Sequence, residues 1–249
     1  MSQPKILFLH GSGTNPDIYR LQTRKLAEHL RPHFTLLYPA APIPRDAGPG
    51  VLPIFAGCDP FLTWLDDTST TTERAFWGSG QDSSSATLDG GSDSDEDDAN
   101  TGGFQRLVDE VKSYGKGVVA LVGFSMGAKV GMEVVRRLEA EGVSEIKIMV
   151  SVCGTVPYQG GGRKWVGQEE SEAGERGYQE RIGMGVVKAQ SVHLIGERDP
   201  WRSESEQLVD FFEETRRTVV VFRGGHHMPV EDALNGKVAR MIMTACWRK

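Results

Sequence analysis

The sequence predicts an α/β fold: a mostly parallel sheet covered by helices on both faces. Short apolar runs with the composition of buried strands alternate along the chain with stretches whose apolar residues recur at helical spacing. Such alternation is typical of strands joined by crossover helices, which produce a parallel sheet. At 249 residues the chain suits a single α/β domain over 1–249.

Composition and charge exclude several classes of protein. Hydrophobic residues make up 39% of the chain and charged residues 25%, which allows a normal core. A net charge of −6 argues against nucleic acid or an anionic membrane as the main partner. No stretch approaches the roughly 20 apolar residues of a membrane span, and the N-terminus enters a strand without a basic leader, so we expect a cytoplasmic protein.

The cysteine pattern argues against a disulfide framework and against a metal site. Cys58, Cys153 and Cys246 are odd in number, widely spaced and without a Cys-x-x-Cys pair. We therefore expect three buried, reduced thiols and no metal.

The first strand is predicted over 5–9, and a Gly-rich turn leads from it into a helix. Asn15 has the residue type of an N-cap, and Pro16 suits the first helical position. The predicted apolar side of this helix comprises Ile18, Leu21, Leu26 and Leu30. The turn lacks the glycine spacing of phosphate-binding loops, so no cofactor is expected.

A second strand–turn–helix unit carries a Gly-x-Ser-x-Gly motif. The apolar run over 118–122 precedes Gly123-Phe124-Ser125-Met126-Gly127, and apolar residues at helical spacing follow. This context is that of a nucleophile elbow, in which a strained turn presents the serine Oγ at the lip of the sheet. The glycines let strand and helix approach closely. The alternative is a Gly-rich turn in which Ser125 only caps the helix.

Further strands are predicted over 34–38, 146–152, 191–195 and 219–222. Three more helices have apolar residues at helical spacing: Phe104, Leu107, Val108 and Val111; Leu208, Phe211 and Phe212; and Val230, Leu234, Val238, Met241 and Ala245. Ser203 and Glu206 have the spacing of a capping box at the start of the second of these helices.

Three segments lack periodicity. The stretch 43–77 is rich in aromatic residues, glycine and proline, and either lines a pocket as a lid or packs as ordinary core. Residues 78–103 are acidic and almost without apolar content, which predicts a disordered insertion rather than a calcium loop. Residues 158–185 are a possible lid or mobile loop.

Ser125, Asp199 and His226 each follow a predicted strand, so in a parallel sheet they meet at one edge. Their order along the chain is that of the α/β-hydrolases. In such a triad the histidine takes the serine proton, and the carboxylate holds and stabilises the imidazole. Two alternatives stay open: Asp199 is a turn residue before Pro200, or His227 is the base and His226 a spacer.

Hydrolysis also needs donors for the oxyanion of the tetrahedral intermediate. The backbone N–H of Ser12 follows His10-Gly11 after the first strand, and that of Met126 lies at the start of the elbow helix, where the helix dipole favours negative charge. We predict these two groups as the oxyanion hole, with His10 as a structural brace of the loop. The alternative for Ser12 is an ordinary polar turn residue.

Four segments together resemble the fungal FSH-type "family of serine hydrolases", which belongs to the α/β-hydrolase superfamily and includes polyketide-releasing thioesterases. They are His10-Gly11, residues 123–128, residues 196–199 and residues 225–229. In the family pattern the catalytic histidine follows Gly-Gly and precedes a proline by three residues, which selects His226. Ser12, where the family often has a bulky apolar residue, and the long acidic insertion depart from the pattern.

The resemblance implies a cofactor-independent serine hydrolase that cleaves a carboxylic ester or an acyl thioester through an acyl-enzyme at Ser125. Short- to medium-chain esters and polyketide-like acyl thioesters are the implied substrates. An acyl carrier protein is a possible partner, whose acidic surface could meet Arg163 and Lys164. An alternative of another class is a non-catalytic binding protein of the same fold, and lactonisation or carbon–carbon cleavage by the same triad stays open.

Overall fold

The computed structural model describes residues 3–65, 105–114, 117–156 and 186–247. The predicted insertion over 78–103 and the predicted lid over 158–185 lie outside these ranges, as do Phe104, Arg163 and Lys164. The described strands are β1 (Lys5–Leu9), β2 (Thr35–Leu37), β3 (Ile43–Arg45), β4 (Phe61–Thr63), β5 (Val118–Phe124), β6 (Ile148–Val152), β7 (Gln190–Gly196) and β8 (Arg217–Phe222). The described helices are α1 (Pro16–Gln22), α2 (Arg24–Leu30), α3 (105–113), α4 (Met126–Ala140), α5 (Arg202–Leu208) and α6 (Asp232–Trp247).

Six strands form one sheet in the order β2-β1-β5-β6-β7-β8, and every neighbouring pair is parallel. The predicted parallel α/β architecture is confirmed. The loops after β1, β5, β7 and β8 consequently emerge at the same edge. The remaining strands, β3 and β4, form a separate antiparallel hairpin within the stretch that lacked periodicity in the sequence.

Alternating side chains of the central strands supply two hydrophobic cores, one on each face of the sheet. On β5, Leu121 packs into the core that includes residues of α3 and α4. Its neighbours Ala120 and Val122 pack into the opposite core, which includes residues of α1, α2 and α6. Among the described helices, none has the length and apolarity that a membrane span requires.

The N-terminal helix differs from the prediction because it is broken at Thr23. Asn15 caps α1 as predicted, since its Oδ1 accepts a hydrogen bond from the Ile18 N–H at 2.9 Å. The Thr23 hydroxyl donates to the Tyr19 carbonyl at 2.7 Å, and α2 begins one residue later. The break changes the buried face, so Leu21 is 54% exposed and its predicted place on the apolar side is wrong.

Two other local predictions are wrong. Helix α5 begins at Arg202 with Trp201 at the N-cap position and no side-chain cap, so Ser203 and Glu206 do not form a capping box. Glu206 instead pairs with Arg202 one turn earlier, at 2.8 Å. Val230 precedes α6 and is 60% exposed, so it lies outside the apolar face of that helix.

The cysteines are all reduced, as expected, but they differ in burial. Cys153 is buried and Cys246 is half-buried. Cys58 is exposed, because it lies in the loop before β4 and not in either core. The prediction of three buried thiols is therefore wrong for Cys58.

Candidate active site

Ser125 lies between β5 and α4 in a strained backbone conformation. Its φ of 52° and ψ of −122° are unfavourable for any residue with a side chain. The Ser125 N–H donates to the Val152 carbonyl at 3.0 Å, which ties the turn to the end of β6. Strain of this kind, at the junction of a strand and a helix, is the geometry of a nucleophile elbow.

The two glycines that flank Ser125 are required by close backbone contacts. A Cβ atom on Gly127 would lie 2.1 Å from the Leu9 carbonyl oxygen. A Cβ atom on Gly123 would lie 2.5 Å from the Cα of Ala128. Only residues without side chains fit at these positions, which is the reason that the sequence suggested for them.

Asp199 follows β7, His226 follows β8, and their side chains are hydrogen-bonded. The imidazole Nδ1 lies 2.9 Å from Asp199 Oδ2 and 3.0 Å from Oδ1, and because a carboxylate only accepts, Nδ1 carries the proton. The Trp201 N–H donates to Asp199 Oδ1 at 2.8 Å, so the aspartate also forms the turn that was the alternative role.

The environment keeps Asp199 ionised. Burial by itself raises the pKa of this carboxyl group, but the hydrogen bond and charge of His226, together with donors from Trp201 and Cys153, outweigh it and hold the pKa below its ordinary value. The carboxylate can therefore hold the imidazole and stabilise its protonated form.

Two aromatic rings that the sequence analysis did not single out lie against His226. Its ring centroid lies 4.6 Å from the nearest ring of Trp201 and 5.0 Å from that of Phe124. The flanking rings restrict the orientation of the imidazole. Their positions carried a signal, because Phe124 directly precedes Ser125 and Trp201 lies two residues after Asp199.

His227 makes its hydrogen bonds with backbone atoms. Its Nδ1 lies 2.8 Å from the Met228 carbonyl oxygen, to which it donates, and its Nε2 accepts from the Gly225 N–H at 3.2 Å. Both ring nitrogens of His227 are therefore hydrogen-bonded within its own loop, whereas His226 is hydrogen-bonded to Asp199. This difference favours His226 as the base.

His10 is wholly buried and braces the loop after β1. Its Nδ1 lies 2.8 Å from the Gly11 carbonyl oxygen, and its Nε2 accepts from the Ala41 N–H at 3.2 Å. Burial lowers the pKa of His10 to about 4 and outweighs the opposing effect of the hydrogen bond to Gly11, so the ring is neutral at pH 7. The predicted structural role agrees with these contacts.

The β3–β4 hairpin holds the loop that contains Ser12. The Ser12 hydroxyl lies 2.9 Å from Thr63 Oγ1 and also accepts from the Arg45 guanidinium. Backbone bonds join Gly13 N–H to the Leu62 carbonyl at 2.9 Å and Leu62 N–H to the Thr14 carbonyl at 2.7 Å. Ser12, which stands where the family often has a bulky apolar residue, therefore has hydrogen-bonding partners for its polar side chain.

One pocket of about 380 Å³ brings the predicted site residues together. Ser125, His226, Ser12 and Met126 all line it, and Asp199 lies behind His226. Residues of the 43–77 stretch form part of its wall: Arg45, Ala47, Gly48, Pro49, Gly50, Val51, Ile54 and Phe55. Charged groups also reach it from α4 and α5, at Lys129 and Glu204.

Cys153 is a residue of this site that the sequence analysis did not assign to it. It follows β6 and is wholly buried. Its Sγ, a carboxylate oxygen of Asp199 and a ring nitrogen of His226 all lie within 4.8 Å of one another. These three groups could be considered metal ligands, but the Asp199–His226 hydrogen bond already occupies two of them. The arrangement is that of an acid–base pair beside a thiol.

Comparison with known proteins decides the family. Residues 1–238 match the serine hydrolase (FSH1) family. The chain belongs to the FSH1 serine hydrolases. The resemblance predicted from four sequence segments is confirmed, and with it the assignment as a hydrolytic enzyme.

Several fungal proteins are similar to this chain, two of the three described here over most of their length. Esterase FUS5 of Gibberella fujikuroi is 27% identical over 243 residues, which cover 96% of this chain and 86% of that protein. Thioesterase FSL2 of Gibberella zeae is 28% identical over 247 residues, covering 98% and 92%. The dihydromonacolin L-[lovastatin nonaketide synthase] thioesterase of Aspergillus terreus is 44% identical over 64 residues, covering 26% and 25%.

Solved structures show the same fold at lower sequence identity. The type II thioesterase BorB from the borrelidin biosynthetic cluster superposes with a TM-score of 0.57 at 17% identity, covering 97% of this chain and 92% of that one. The Bacillus cereus carboxylesterase gives a TM-score of 0.55 at 16% identity, covering 98% and 89%. The predicted α/β-hydrolase fold of this FSH1 protein is confirmed.

Proposed function

We propose that this serine hydrolase cleaves a carboxylic ester or an acyl thioester through an acyl-enzyme, with Ser125 as nucleophile, His226 as general base and Asp199 as the orienting carboxylate. The observation that carries the proposal is the Asp199–His226 hydrogen bond at the pocket that Ser125 lines from its strained turn. The chemistry needs these three groups together.

Each step of the proposed cycle uses a group at the pocket. His226 takes the Ser125 proton as Oγ attacks the substrate carbonyl carbon, and the carbonyl oxygen becomes an oxyanion. Collapse breaks the bond to the leaving alcohol or thiol, which receives the proton from His226. Water then attacks the acyl-enzyme, His226 takes its proton and returns it to Ser125 Oγ, and a carboxylic acid leaves.

The proposed oxyanion donors are the backbone N–H groups of Ser12 and Met126. Both residues line the pocket beside Ser125. As the first residue of α4, Met126 has an N–H without an acceptor within its own helix, and the helix dipole adds to its attraction for negative charge. The bonds of Ser12 to the β3–β4 hairpin keep the other donor in place before substrate arrives.

For the acyl group we propose a polyketide-like chain carried as a thioester and released in secondary metabolism, with an acyl carrier protein as its carrier. The pocket volume lies in the range of small-molecule sites, and its wall combines apolar side chains with a similar number of polar ones. Two of the relatives named above are thioesterases, one of them directed to a nonaketide synthase. The contacts proposed for Arg163 and Lys164 with a carrier protein lie outside the described residues.

The test is intact-protein mass spectrometry after treatment with a fluorophosphonate probe. We expect one probe mass on the wild type, none on Ser125→Ala, and full labelling of Ser113→Ala, an exposed control on α3. A matched panel of p-nitrophenyl esters and N-acetylcysteamine thioesters of the same acyl chains then separates esterase from thioesterase. Absence of labelling on folded wild-type protein would refute the nucleophile, and equal rates for paired esters and thioesters would refute the thioester preference.

A further inference from the structure

We propose that Cys153 is a positioning residue for the Asp199–His226 pair: its thiol supports the carboxylate and the histidine loop from the buried side of the site. The proposal rests on the proposed function, because its kinetic test measures ester hydrolysis at the site of Ser125, His226 and Asp199. Cys153 is wholly buried and is not among the described residues that line the pocket, so the expected role is exerted through Asp199 and His226.

The backbone places Cys153 where such support is possible. It follows β6, which lies in the sheet between β5, the strand before Ser125, and β7, the strand before Asp199. Its N–H donates to the Leu194 carbonyl on β7 at 2.9 Å. Its φ of 47° lies in the left-handed region, which is uncommon for a residue with a side chain. Retaining a side chain in this conformation carries a cost in stability, which a functional contact would explain.

The thiol contacts both loops that form the acid–base pair. Its Sγ lies 3.6 Å from the Gly225 carbonyl oxygen and 3.8 Å from the His227 carbonyl oxygen, the two residues on either side of His226. It also lies within 4.8 Å of an Asp199 carboxylate oxygen and of a ring nitrogen of His226. A single side chain thereby bridges the loop after β7 and the loop after β8.

The thiol acts as a neutral donor in this setting. Burial, reinforced by the charge of Asp199, raises the pKa of Cys153 well above its ordinary value, so the proton stays on sulfur. The single S–H is a weak donor for which the Gly225 and His227 carbonyl oxygens and the Asp199 carboxylate compete, and its interaction with the carboxylate helps hold the pKa of Asp199 below its ordinary value. Without this donor, Asp199 would present more charge to His226 and stabilise the protonated imidazole, which is inactive as a base.

Two substitutions separate the donor from the packing. Alanine and serine both keep a Cβ atom and so meet the same backbone demand at φ 47°. Cys153→Ala removes the donor, whereas Cys153→Ser keeps an O–H donor in a slightly smaller side chain. Cys246→Ala, at a half-buried cysteine on α6, is the matched control.

The experiment is the pH dependence of kcat/KM for these variants with a p-nitrophenyl ester that the wild type hydrolyses. For Cys153→Ala we expect an acid limb shifted upward by about half a pH unit, which lowers kcat/KM by up to about threefold on that limb. Cys153→Ser should return the limb to its wild-type position, and Cys246→Ala should leave it there. Thermal melting of each variant confirms that it is folded.

A second readout does not depend on turnover. The Nδ1 proton of His226, hydrogen-bonded to Asp199, is followed by NMR in the resting protein, and its resonance should move in Cys153→Ala and return in Cys153→Ser. The positioning role is overturned if the wild type is active and reacts with fluorophosphonate, while Cys153→Ala has the wild-type acid limb and the wild-type Nδ1 proton resonance. Failure of the wild type to react with fluorophosphonate would instead overturn the proposed function, while the resonance still reports on Cys153.

Discussion

His226 Nδ1 donates to Asp199 Oδ2 at 2.9 Å, and the side chain of that aspartate is wholly shielded from solvent. The chain contains a second histidine–aspartate pair, His29 with Asp232, at almost the same distance of 3.0 Å. The second pair is solvent-exposed, with 67% of the Asp232 side chain accessible. The two pairs differ in burial and in position, because only the first lies at the pocket.

Replacing Asp199 with asparagine should abolish most of the activity. The amide cannot supply a negative charge to the protonated imidazole and does not hold the tautomer with hydrogen on Nδ1. We expect kcat to fall by about 10³- to 10⁴-fold with a smaller change in KM. Steady-state kinetics on a p-nitrophenyl ester measures this, and Asp232→Asn is the matched control, expected to stay within twofold of wild type. Retention of a tenth of the wild-type kcat in Asp199→Asn would contradict the assigned role.

A methyl group at Gly127 should destabilise the protein strongly. Its Cβ would lie 2.1 Å from the Leu9 carbonyl oxygen, and strand β1 cannot move away without disrupting the sheet. We expect the free energy of unfolding to fall by about 2–4 kcal/mol, although alanine normally favours a helix over glycine. Gly236→Ala is the control, because its Cβ would meet neighbours at ordinary distances of 3.4 Å and beyond. Urea unfolding gives both values; equal stabilities of the two variants would refute this contact.

Thr63→Val should impair catalysis more than binding. The Thr63 hydroxyl contacts Ser12 at 2.9 Å and donates to the Leu65 carbonyl at 3.0 Å, so an isosteric valine removes both bonds and leaves the Ser12 hydroxyl with the Arg45 guanidinium. We expect kcat to fall about tenfold with little change in KM, and stability to fall by about 1–2 kcal/mol. Thr218→Val on the exposed side of β8 should change neither. An unaltered kcat in a folded Thr63→Val protein would show that the hairpin does not position the Ser12 loop.

Acidification should destabilise the fold through two buried histidines. Burial lowers the pKa of His193 to about 3, assisted by the charge of Arg217, and burial lowers that of His10 to about 4, from an ordinary value of 6.5. Because the native pKa values lie below the unfolded value, the unfolded chain binds protons first as the pH falls. The neutral histidines therefore contribute fully above pH 6.5, and their contribution declines as the pH falls from about 6.5 towards 4 and below.

Between pH 8 and pH 5 we expect each of the two histidines to account for about 2 kcal/mol of lost stability. Between the same two pH values, the free energy of unfolding of His193→Leu should fall by about 2 kcal/mol less than that of the wild type, as measured by urea unfolding. His33→Gln, at an exposed histidine, is the control and should follow the wild type. Parallel pH dependences of wild type and His193→Leu would refute this origin of acid sensitivity.

The sequence alone was sufficient for features that depend on neighbouring residues. Apolar runs and helical spacing predicted the parallel sheet. The turn around Ser125 could be predicted because its strand, glycines and helix are contiguous. Asp199 and His226 could be placed at one edge because residues that follow parallel strands share that edge. Local spacing misled where a single side chain changed the backbone, as at Thr23, which broke the predicted helix.

Only the tertiary structure decided which distant residues meet. Strand order and register bring the β3–β4 hairpin against Ser12, place Trp201 and Phe124 next to His226, and set Cys153 beside Asp199. These contacts join segments tens of residues apart, and no local pattern encodes such a distance. The residues that can do the chemistry can therefore be predicted from the sequence. The residues that hold them in place are determined by the order and register in which the strands pair.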